Sequence, residues 1–138
     1  MTPEALIDDM AARARVASLV LSGMATPQKA AALKAAAAEL RGSSNAIIAA
    51  NAIDLAAAKG NGMAAAMIDR LTLDSARIEG ISDAVDAIAA LPDPVGAVIE
   101  ESERPNGLKL SRVRVPLGVI GIIYESRPNV TADAGMLC

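Results

Sequence analysis

Residues 115–131 constrain the fold of this chain more than any other stretch. The run begins with apolar and β-branched residues that leave no polar face, and it ends in a charged turn that contains Pro128. Continuous apolar character is typical of a central parallel strand, because such a strand is buried on both faces. Thr131 is a suitable cap for a following helix, with Asp133 near its positive start. The stretch therefore predicts a strand, a polar loop and a helix, and ligands bind at such loops in open α/β sheets.

Five helical segments are predicted before this stretch. Thr2, Thr26 and Asp74 each precede a helical pattern as a capping residue, and a proline follows each of the two threonines. Apolar residues recur at helical spacing, which predicts that the helices pack through one face. The last of these helices must end before Pro92. The predicted helices cover about 3–22, 27–41, 45–59, 63–70 and 75–91.

Residues 95–116 are predicted to form a β-hairpin. The Asn106-Gly107 pair favours a two-residue turn, and a change of alternation between Leu110 and Val113 indicates a β-bulge or a change of neighbouring strand. The chain thus divides into a helical part at 1–94, a hairpin arm at 95–116, and a part at 117–138 with the first parallel strand, the site loop and the start of the next helix. Because a parallel strand needs a second one beyond that helix, we expect an incomplete α/β fold, the front of a larger protein.

Composition and charge argue against several classes of function. The net charge of −3 is spread along the chain and leaves no basic patch for a nucleic acid. The chain has no histidine and a single cysteine, Cys138, so neither an internal disulfide nor a zinc site is expected. The N-terminus is acidic, and no apolar run reaches the roughly 18 residues of a membrane span. We therefore expect a cytoplasmic protein that does not associate with membranes.

The residues at 114–131, Arg-Val-Pro-Leu-Gly-Val-Ile-Gly-Ile-Ile-Tyr-Glu-Ser-Arg-Pro-Asn-Val-Thr, closely resemble a stretch of the gamma-glutamyl phosphate reductases, a family of the aldehyde dehydrogenase superfamily. The motifs at 69–71, 90–96 and 104–108 are similar to that family too, so the resemblance extends over essentially the whole chain. It implies the N-terminal portion of a Rossmann-like cofactor domain. It also implies that the complete enzyme is a homo-oligomer, with the hairpin as the associating arm.

The resemblance implies a reaction and a cofactor. In this family NADPH reduces L-glutamyl 5-phosphate to L-glutamate 5-semialdehyde and phosphate, a step of proline biosynthesis. A cysteine thiolate attacks the acyl phosphate, phosphate leaves, and hydride reduces the resulting thioester. Cys138 lies too early in the chain to be that thiolate, which must come from a downstream domain. We therefore expect this portion to be inactive by itself.

Two residues of the loop are candidates for contact with the substrate. Asn129 matches the superfamily's asparagine, whose amide donates to the oxygen of the tetrahedral intermediate, as a neutral donor for developing negative charge. The alternative is that Asn129 only forms a turn after Pro128. Arg127 can hold a phosphate or carboxylate through a bidentate contact. Its alternative is an ion pair with Glu125 or Asp133.

Three residues before the loop are candidates for contact with the cofactor. Ile123, Tyr124 and Glu125 correspond to superfamily positions that line the nicotinamide side, and the alternative for them is packing at the strand end. Gly118 and Gly121 do not form the dinucleotide fingerprint, which needs three glycines between a strand and a helix. The superfamily binds its cofactor without that fingerprint.

Two other functions stay open at this point. One is a different acyl-reducing aldehyde dehydrogenase with another acyl donor. Residues 124–127 replace the proline and tryptophan that commonly precede the superfamily's asparagine, which argues against an ordinary aldehyde oxidiser. The other is a helical interaction module without catalysis, which must fold cooperatively in isolation despite an unpaired strand.

Overall fold

The computed structural model describes residues 1–125 and 127–138. Ser126, which belongs to the predicted site loop, lies outside the described residues. The described chain is mostly helical and contains an antiparallel hairpin, and the first five helices fall where the sequence predicts them. The elements are α1 Pro3–Ser22, α2 Thr26–Gly42, α3 Ser44–Gly60, α4 Ala65–Leu71, α5 Ser75–Ala89, β1 Val98–Glu103, β2 Lys109–Val113 and α6 Pro128–Leu137.

Side-chain caps begin two of the predicted helices. The Thr2 hydroxyl accepts a hydrogen bond from the Ala5 amide at 3.3 Å at the start of α1. The Asp74 carboxylate accepts one from the Arg77 amide at 2.7 Å at the start of α5. These bonds satisfy amide groups that have no partner within the first helical turn. The starts of α1 and α5 therefore follow from local chemistry that is visible in the sequence.

The structure divides into two compact units, residues 1–26 with 92–120 and residues 27–91 with 121–138, and each is described by itself. The first unit contains α1 and the hairpin. We expected α1 to pack through its apolar face, and this prediction is wrong, because α1 buries no residue. Ile7 and Met10 on that face are 61% and 50% exposed.

The hairpin of the first unit is confirmed, with β1 and β2 paired antiparallel. Glu100 lies opposite Arg112 and Glu103 lies opposite Lys109, so opposite charges face each other across the ladder. The ladder does have an irregularity, but it lies on β1, where the register shifts between Val98 and Glu100, and not on the returning strand between Leu110 and Val113. Every residue of both strands is exposed, so these charge pairs stabilise the hairpin only weakly.

The two-residue turn predicted for the hairpin is wrong. The Arg104 amide donates to the Leu108 carbonyl at 2.9 Å, which leaves a three-residue loop between them. Pro105 has the fixed φ that suits the second position of a type I turn, and the Gly107 amide closes that turn on the Arg104 carbonyl at 2.8 Å. Gly107 then adopts a φ of 83°, the left-handed region that glycine enters without strain. The proline before Asn106 thus selects the longer loop.

The core of the second unit draws on α2, α3 and α5. The predicted packing face of α5 is confirmed for Ile78 and Val85, which are 2% and 0% exposed. Three alanines complete the buried apolar set, so the helices approach one another with little side-chain volume between them. The buried apolar residues are Ala37, Ala58, Ile78, Val85 and Ala89.

Arg41, in the last turn of α2, holds α5 through three carboxylates. Its guanidinium lies 2.7 Å from Glu79, 2.7 Å from Asp83 and 2.8 Å from Asp86. The three acids share one face of α5 because they are spaced four and three residues apart. Hydrogen bonds to Glu79, Asp86 and Asp83 raise the pKa of Arg41, so the guanidinium remains charged throughout the neutral range. The cluster is partly exposed, and solvent and salt screen it.

The parallel strand predicted to begin at residue 117 is not formed. Residues 117–125 have no regular secondary structure and all of them are exposed. A strand needs a neighbouring strand for its hydrogen bonds, and the sheet in the described chain consists of β1 and β2 alone. Gly118, with a φ of 98°, also interrupts the extended backbone. The fold is therefore the predicted helical part and hairpin, followed by an unpaired apolar segment.

No helix in residues 1–125 and 127–138 is long and apolar enough to cross a bilayer. The longest, α1, contains Glu4, Asp8 and Asp9 as well as Arg13 and Arg15, and each charge opposes burial in hydrocarbon.

Candidate functional site

A cleft of about 500 Å³ lies in the second unit. One wall is formed by the end of α4, the linker after it and the first half of α5, and the other wall is the start of α6. Arg70, Arg77, Arg127 and Asn129 are among the residues that line it. The cleft therefore brings together the two predicted substrate residues, Arg127 and Asn129, and adds two arginines from the helical part.

The linker wall of the cleft is fixed by a buried asparagine on α3. Asn51 is 5% exposed, and its side-chain nitrogen donates to the Leu71 carbonyl at 2.9 Å. Its side-chain oxygen accepts from the Leu73 amide at 2.8 Å. A buried amide that satisfies two backbone groups costs at least one unpaired polar group when it is removed. Asn51 therefore holds the backbone between α4 and α5 in one place.

Arg77 on α5 closes the same linker from the other side. Its guanidinium donates to the Thr72 carbonyl at 2.8 Å and to the Asp69 carbonyl, and it pairs with the Asp69 carboxylate at 2.9 Å. These contacts occupy both terminal nitrogens of the guanidinium. Arg77 is therefore part of the cleft wall, and it compensates the charge of Asp69.

The opposite wall begins earlier in the chain than predicted. We expected Thr131 to cap α6, and this is wrong, because the helix starts at Pro128 and Thr131 lies within it. Proline suits the first helical position, where its fixed φ is helical and its missing amide is not needed. The Thr131 hydroxyl instead forms a hydrogen bond with the Tyr124 hydroxyl. The polar loop is consequently shorter, and Asn129 belongs to the first turn of α6.

The side chain of Asn129 is oriented by a carboxylate one turn further along α6. Its Nδ2 donates to Asp133 Oδ2 at 2.9 Å, and both residues line the cleft. A primary amide has two N–H groups, so this bond leaves the second one to donate to another acceptor. Asn129 therefore lies in the first turn of α6 and not in a separate turn after Pro128, and its contact with substrate stays a prediction.

Two arginines of the cleft, Arg70 and Arg127, have no carboxylate partner among the described residues. Among the described residues, Arg127 forms no ion pair with Glu125 or Asp133, so the ion-pair alternative is not realised. Arg70 likewise forms no ion pair or side-chain hydrogen bond within residues 1–125 and 127–138. An unpaired guanidinium group favours an anion, and the positive start of α6 adds to this at Arg127, whereas Arg70 lies in the last turn of α4. The cleft is chemically suited to phosphate or carboxylate.

The three residues predicted to contact a cofactor lie outside the cleft lining. Ile123 is fully exposed, Tyr124 is 45% exposed and Glu125 is exposed. Ile123 and the ring of Tyr124 offer an apolar surface, which fits the flat side of a nicotinamide ring. No basic side chain lies among these three residues, so they fit that ring and not the phosphates of a dinucleotide.

Cys138 does not take part in the site. It follows the last residue of α6, its side chain is exposed, and it is absent from the cleft lining. No group of three or more His, Cys, Asp or Glu side chains in the described chain is placed to hold a metal ion.

Sequence reasoning missed Arg70, Arg77 and Asn51 as parts of the site. The signal for Asn51 was available, because it shares a helical face with Ile47 and Leu55 and is therefore a polar residue on a packing face. Arg70 belongs to a motif at 69–71 that was noticed only as a resemblance. Its place beside Arg127 depends on tertiary packing that no local pattern specifies.

The chain was compared with known proteins, and no family model matches it. It is 65% identical over 133 residues to a gamma-glutamyl phosphate reductase of Rhizorhabdus wittichii, which is 96% of this chain and 31% of that protein. It is 58% identical over 134 residues to a protein of the same name from Brucella anthropi, again 31% of its length. The chain spans about a third of the length of these relatives.

Solved structures give the same result. The crystal structure of gamma-glutamyl phosphate reductase from Thermotoga maritima matches with a TM-score of 0.90 and 42% identity, covering 94% of this chain and 31% of that one. The structure from Saccharomyces cerevisiae matches with a TM-score of 0.86 and 34% identity, covering 93% and 33%. The fold described above is therefore that of the N-terminal part of these proteins.

Proposed function

We propose that this chain, which corresponds in sequence and fold to the N-terminal third of the gamma-glutamyl phosphate reductases, supplies part of the substrate site of such an enzyme. The reaction is the reduction of L-glutamyl 5-phosphate to L-glutamate 5-semialdehyde and phosphate with a nicotinamide cofactor, NADPH. The observation that carries the proposal is that Asn129 and Arg127 line one cleft, where the first can donate to an acyl oxygen and the second can bind a phosphate.

Asn129 acts on the carbonyl oxygen of the acyl phosphate. When a thiolate from outside this chain adds to the acyl carbon, a sulfur–carbon bond forms and the carbonyl oxygen becomes anionic. The free N–H of Asn129 donates to that oxygen, while Asp133 fixes the amide through the other N–H. The carbon–oxygen bond to phosphate then breaks, and phosphate leaves with the electron pair.

Arg127 binds the phosphate group of the substrate. It lies two residues before Asn129, so a group held by the guanidinium is close to the acyl carbon that Asn129 addresses. A guanidinium binds phosphate through two parallel N–H groups and keeps its charge at every relevant pH. Negative charge grows on the phosphate as it leaves, so the same contact favours departure.

The cofactor lies on the side of Ile123 and Tyr124. Their exposed apolar surface is suited to the nicotinamide ring, and the bound cofactor supplies the hydride that reduces the thioester. Tyr124 is held against α6 by its bond to Thr131, so this surface is tied to the helix that carries Asn129. Glu125 follows them directly and completes the proposed contact. We further propose that the complete enzyme is cytoplasmic and associates as a homo-oligomer through the hairpin.

The test is an Asn129→Ala variant of a complete reductase that carries this chain. We expect kcat to fall by about 100- to 1,000-fold, since one oxyanion donor contributes on this scale, while the Kd for NADPH stays unchanged. Asn129→Asp keeps the size but replaces the donor with a carboxylate, so it should fall at least as far. Asn45→Ala, an exposed asparagine on α3, is the matched control with unchanged kcat. A kcat for Asn129→Ala equal to that of the control would remove the catalytic role of Asn129.

A further inference from the structure

Arg70 lines the cleft but has no role in the reaction proposed above. We propose that Arg70 is a second anion-binding residue, which holds the phosphoryl group of the substrate together with Arg127. This inference rests on the proposed function, and it adds a ligand contact from the helical part of the chain, outside the loop that carries Arg127 and Asn129.

The charges of the cleft leave Arg70 available. The lining contains three arginines and two aspartates, although the chain as a whole has a net charge of −3. Asp69 is paired with Arg77 at 2.9 Å, and Asp133 accepts a hydrogen bond from Asn129. Among the described residues no carboxylate forms an ion pair with Arg70 or Arg127, and because Asp133 keeps its charge the lining has one net positive charge.

The backbone that carries Arg70 is held in place. Arg70 immediately precedes Leu71, whose carbonyl is bound by the buried amide of Asn51 at 2.9 Å. Arg77 binds the Asp69 carbonyl on the other side of Arg70. An arginine whose neighbours on both sides are fixed loses less freedom when it binds than one on a mobile loop, which increases affinity.

The two arginines approach the cleft from opposite walls. Arg70 lies in the last turn of α4 on the linker wall, and Arg127 immediately precedes α6, whose positive helix end adds to the field. A terminal phosphoryl group offers two guanidinium groups three oxygen atoms and up to two negative charges, whereas a carboxylate offers two oxygen atoms and one charge. The arrangement therefore favours a phosphoryl group over a simple carboxylate.

The test measures the binding of inorganic phosphate to a complete reductase that carries this chain, at constant ionic strength, by isothermal titration calorimetry. We expect Arg70→Ala and Arg127→Ala each to weaken binding by about tenfold, since a hydrogen bond to a charged group contributes on this scale. Arg15→Ala is the matched control, because Arg15 is an exposed helical arginine of the other unit without an ion pair among the described residues. Circular dichroism verifies that each variant keeps the helical content of the parent chain.

The results for the two arginine variants distinguish a failure of the Arg70 proposal from a failure of the proposed function. If Arg127→Ala weakens phosphate binding and Arg70→Ala does not, the role of Arg70 is refuted and that of Arg127 stands. If neither variant differs from Arg15→Ala, the anion site as a whole is wrong, and the proposed role of Arg127 fails with it.

A second pair of probes identifies the source of the phosphoryl group. Acetyl phosphate represents the acyl phosphate substrate, and adenosine 2′-phosphate represents the corresponding part of NADPH. We expect acetyl phosphate to bind more tightly and to lose affinity in both arginine variants. Tighter binding of adenosine 2′-phosphate, with the same dependence on the two arginines, would overturn the assignment to the substrate.

Discussion

Helix α5 and the segment 117–125 are similarly rich in aliphatic residues, yet they differ completely in burial. Four residues of α5 are buried, whereas every residue of the segment is exposed. A helix satisfies its own backbone hydrogen bonds and needs only one apolar face covered, and α3 and α6 contact α5 in the described chain. A strand that is apolar on both faces needs paired neighbours and cover on two sides. The apolar pattern therefore predicts burial in both regions, and only α5 finds it among the described residues.

The largest difference in stability is expected when an isoleucine is replaced by alanine in α5 and, for comparison, in the segment 117–125. Ile78→Ala removes a side chain that is 2% exposed and should lower the free energy of unfolding by about 3–4 kcal/mol through lost burial and a residual cavity. Ile123→Ala changes a fully exposed isoleucine and should stay within about 0.5 kcal/mol. Urea unfolding of the 138-residue chain, followed by circular dichroism, measures both values.

The same two variants can also contradict the conclusion that the segment 117–125 is unpacked. A loss for Ile123→Ala that approaches the loss for Ile78→Ala would mean that the segment is packed in solution, through intramolecular contact or self-association. Repeating the unfolding at two protein concentrations separates these cases, because only self-association makes the midpoint depend on concentration.

The helices were predictable because their signals are local. Thr2 and Asp74 cap α1 and α5 as the sequence indicates, and Pro92 lies beyond the end of α5. The hairpin was predictable in position, although Pro105 lengthened its loop. The strand at 117–125 was not correctly predicted, because strand pairing depends on residues distant in sequence, and here the described chain provides no partner. Local patterns therefore specify the self-contained elements more reliably than those that need a partner.

The candidate site was predictable only in part, for the same reason. Asn129 and Arg127 were identified from the motif around them, and both line the cleft. Arg70 was missed because its place beside Arg127 depends on tertiary packing, whereas Asn51 is a polar residue on a packing face that the sequence does show. The start of α6 is misplaced because the sequence pattern indicates a loop at Pro128, although proline is equally suited to the first position of a helix. The contribution of Arg70 is thus tertiary, and the boundary of α6 is a local ambiguity.

A smaller effect is expected at the polar contact that supports the packed region. Asn51→Ala leaves the Leu71 carbonyl and the Leu73 amide without their partner in a part-buried place, and we expect a loss of about 2–3 kcal/mol in unfolding free energy. Asn45→Ala on the same helix is the matched control, because Asn45 is exposed, and its change should stay within about 0.5 kcal/mol. Urea unfolding again measures the difference.

The Asn51 variant also tests whether Asn51 holds the linker between α4 and α5 locally or only adds to the overall stability. Amide hydrogen exchange at Leu73 should accelerate in Asn51→Ala by more than global destabilisation alone predicts, since the bond that protects this amide is removed. Equal acceleration at Leu73 and at the core amides of α5 would show that Asn51 contributes only to overall stability and does not hold the linker locally.

The smallest effect is expected in the exposed segment, at the contact that ties it to α6. Tyr124→Phe removes the hydroxyl that bonds to Thr131, and Thr131→Val removes the partner while keeping the branched shape. Each change should cost about 0.5–1 kcal/mol, and the double variant should cost less than the sum of the two, because both remove one bond. Additive losses would mean that the bond is not formed in solution. In that case residues 117–125 lose their described link to the helix that carries Asn129, and the proposed cofactor surface is no longer held beside the proposed oxyanion donor.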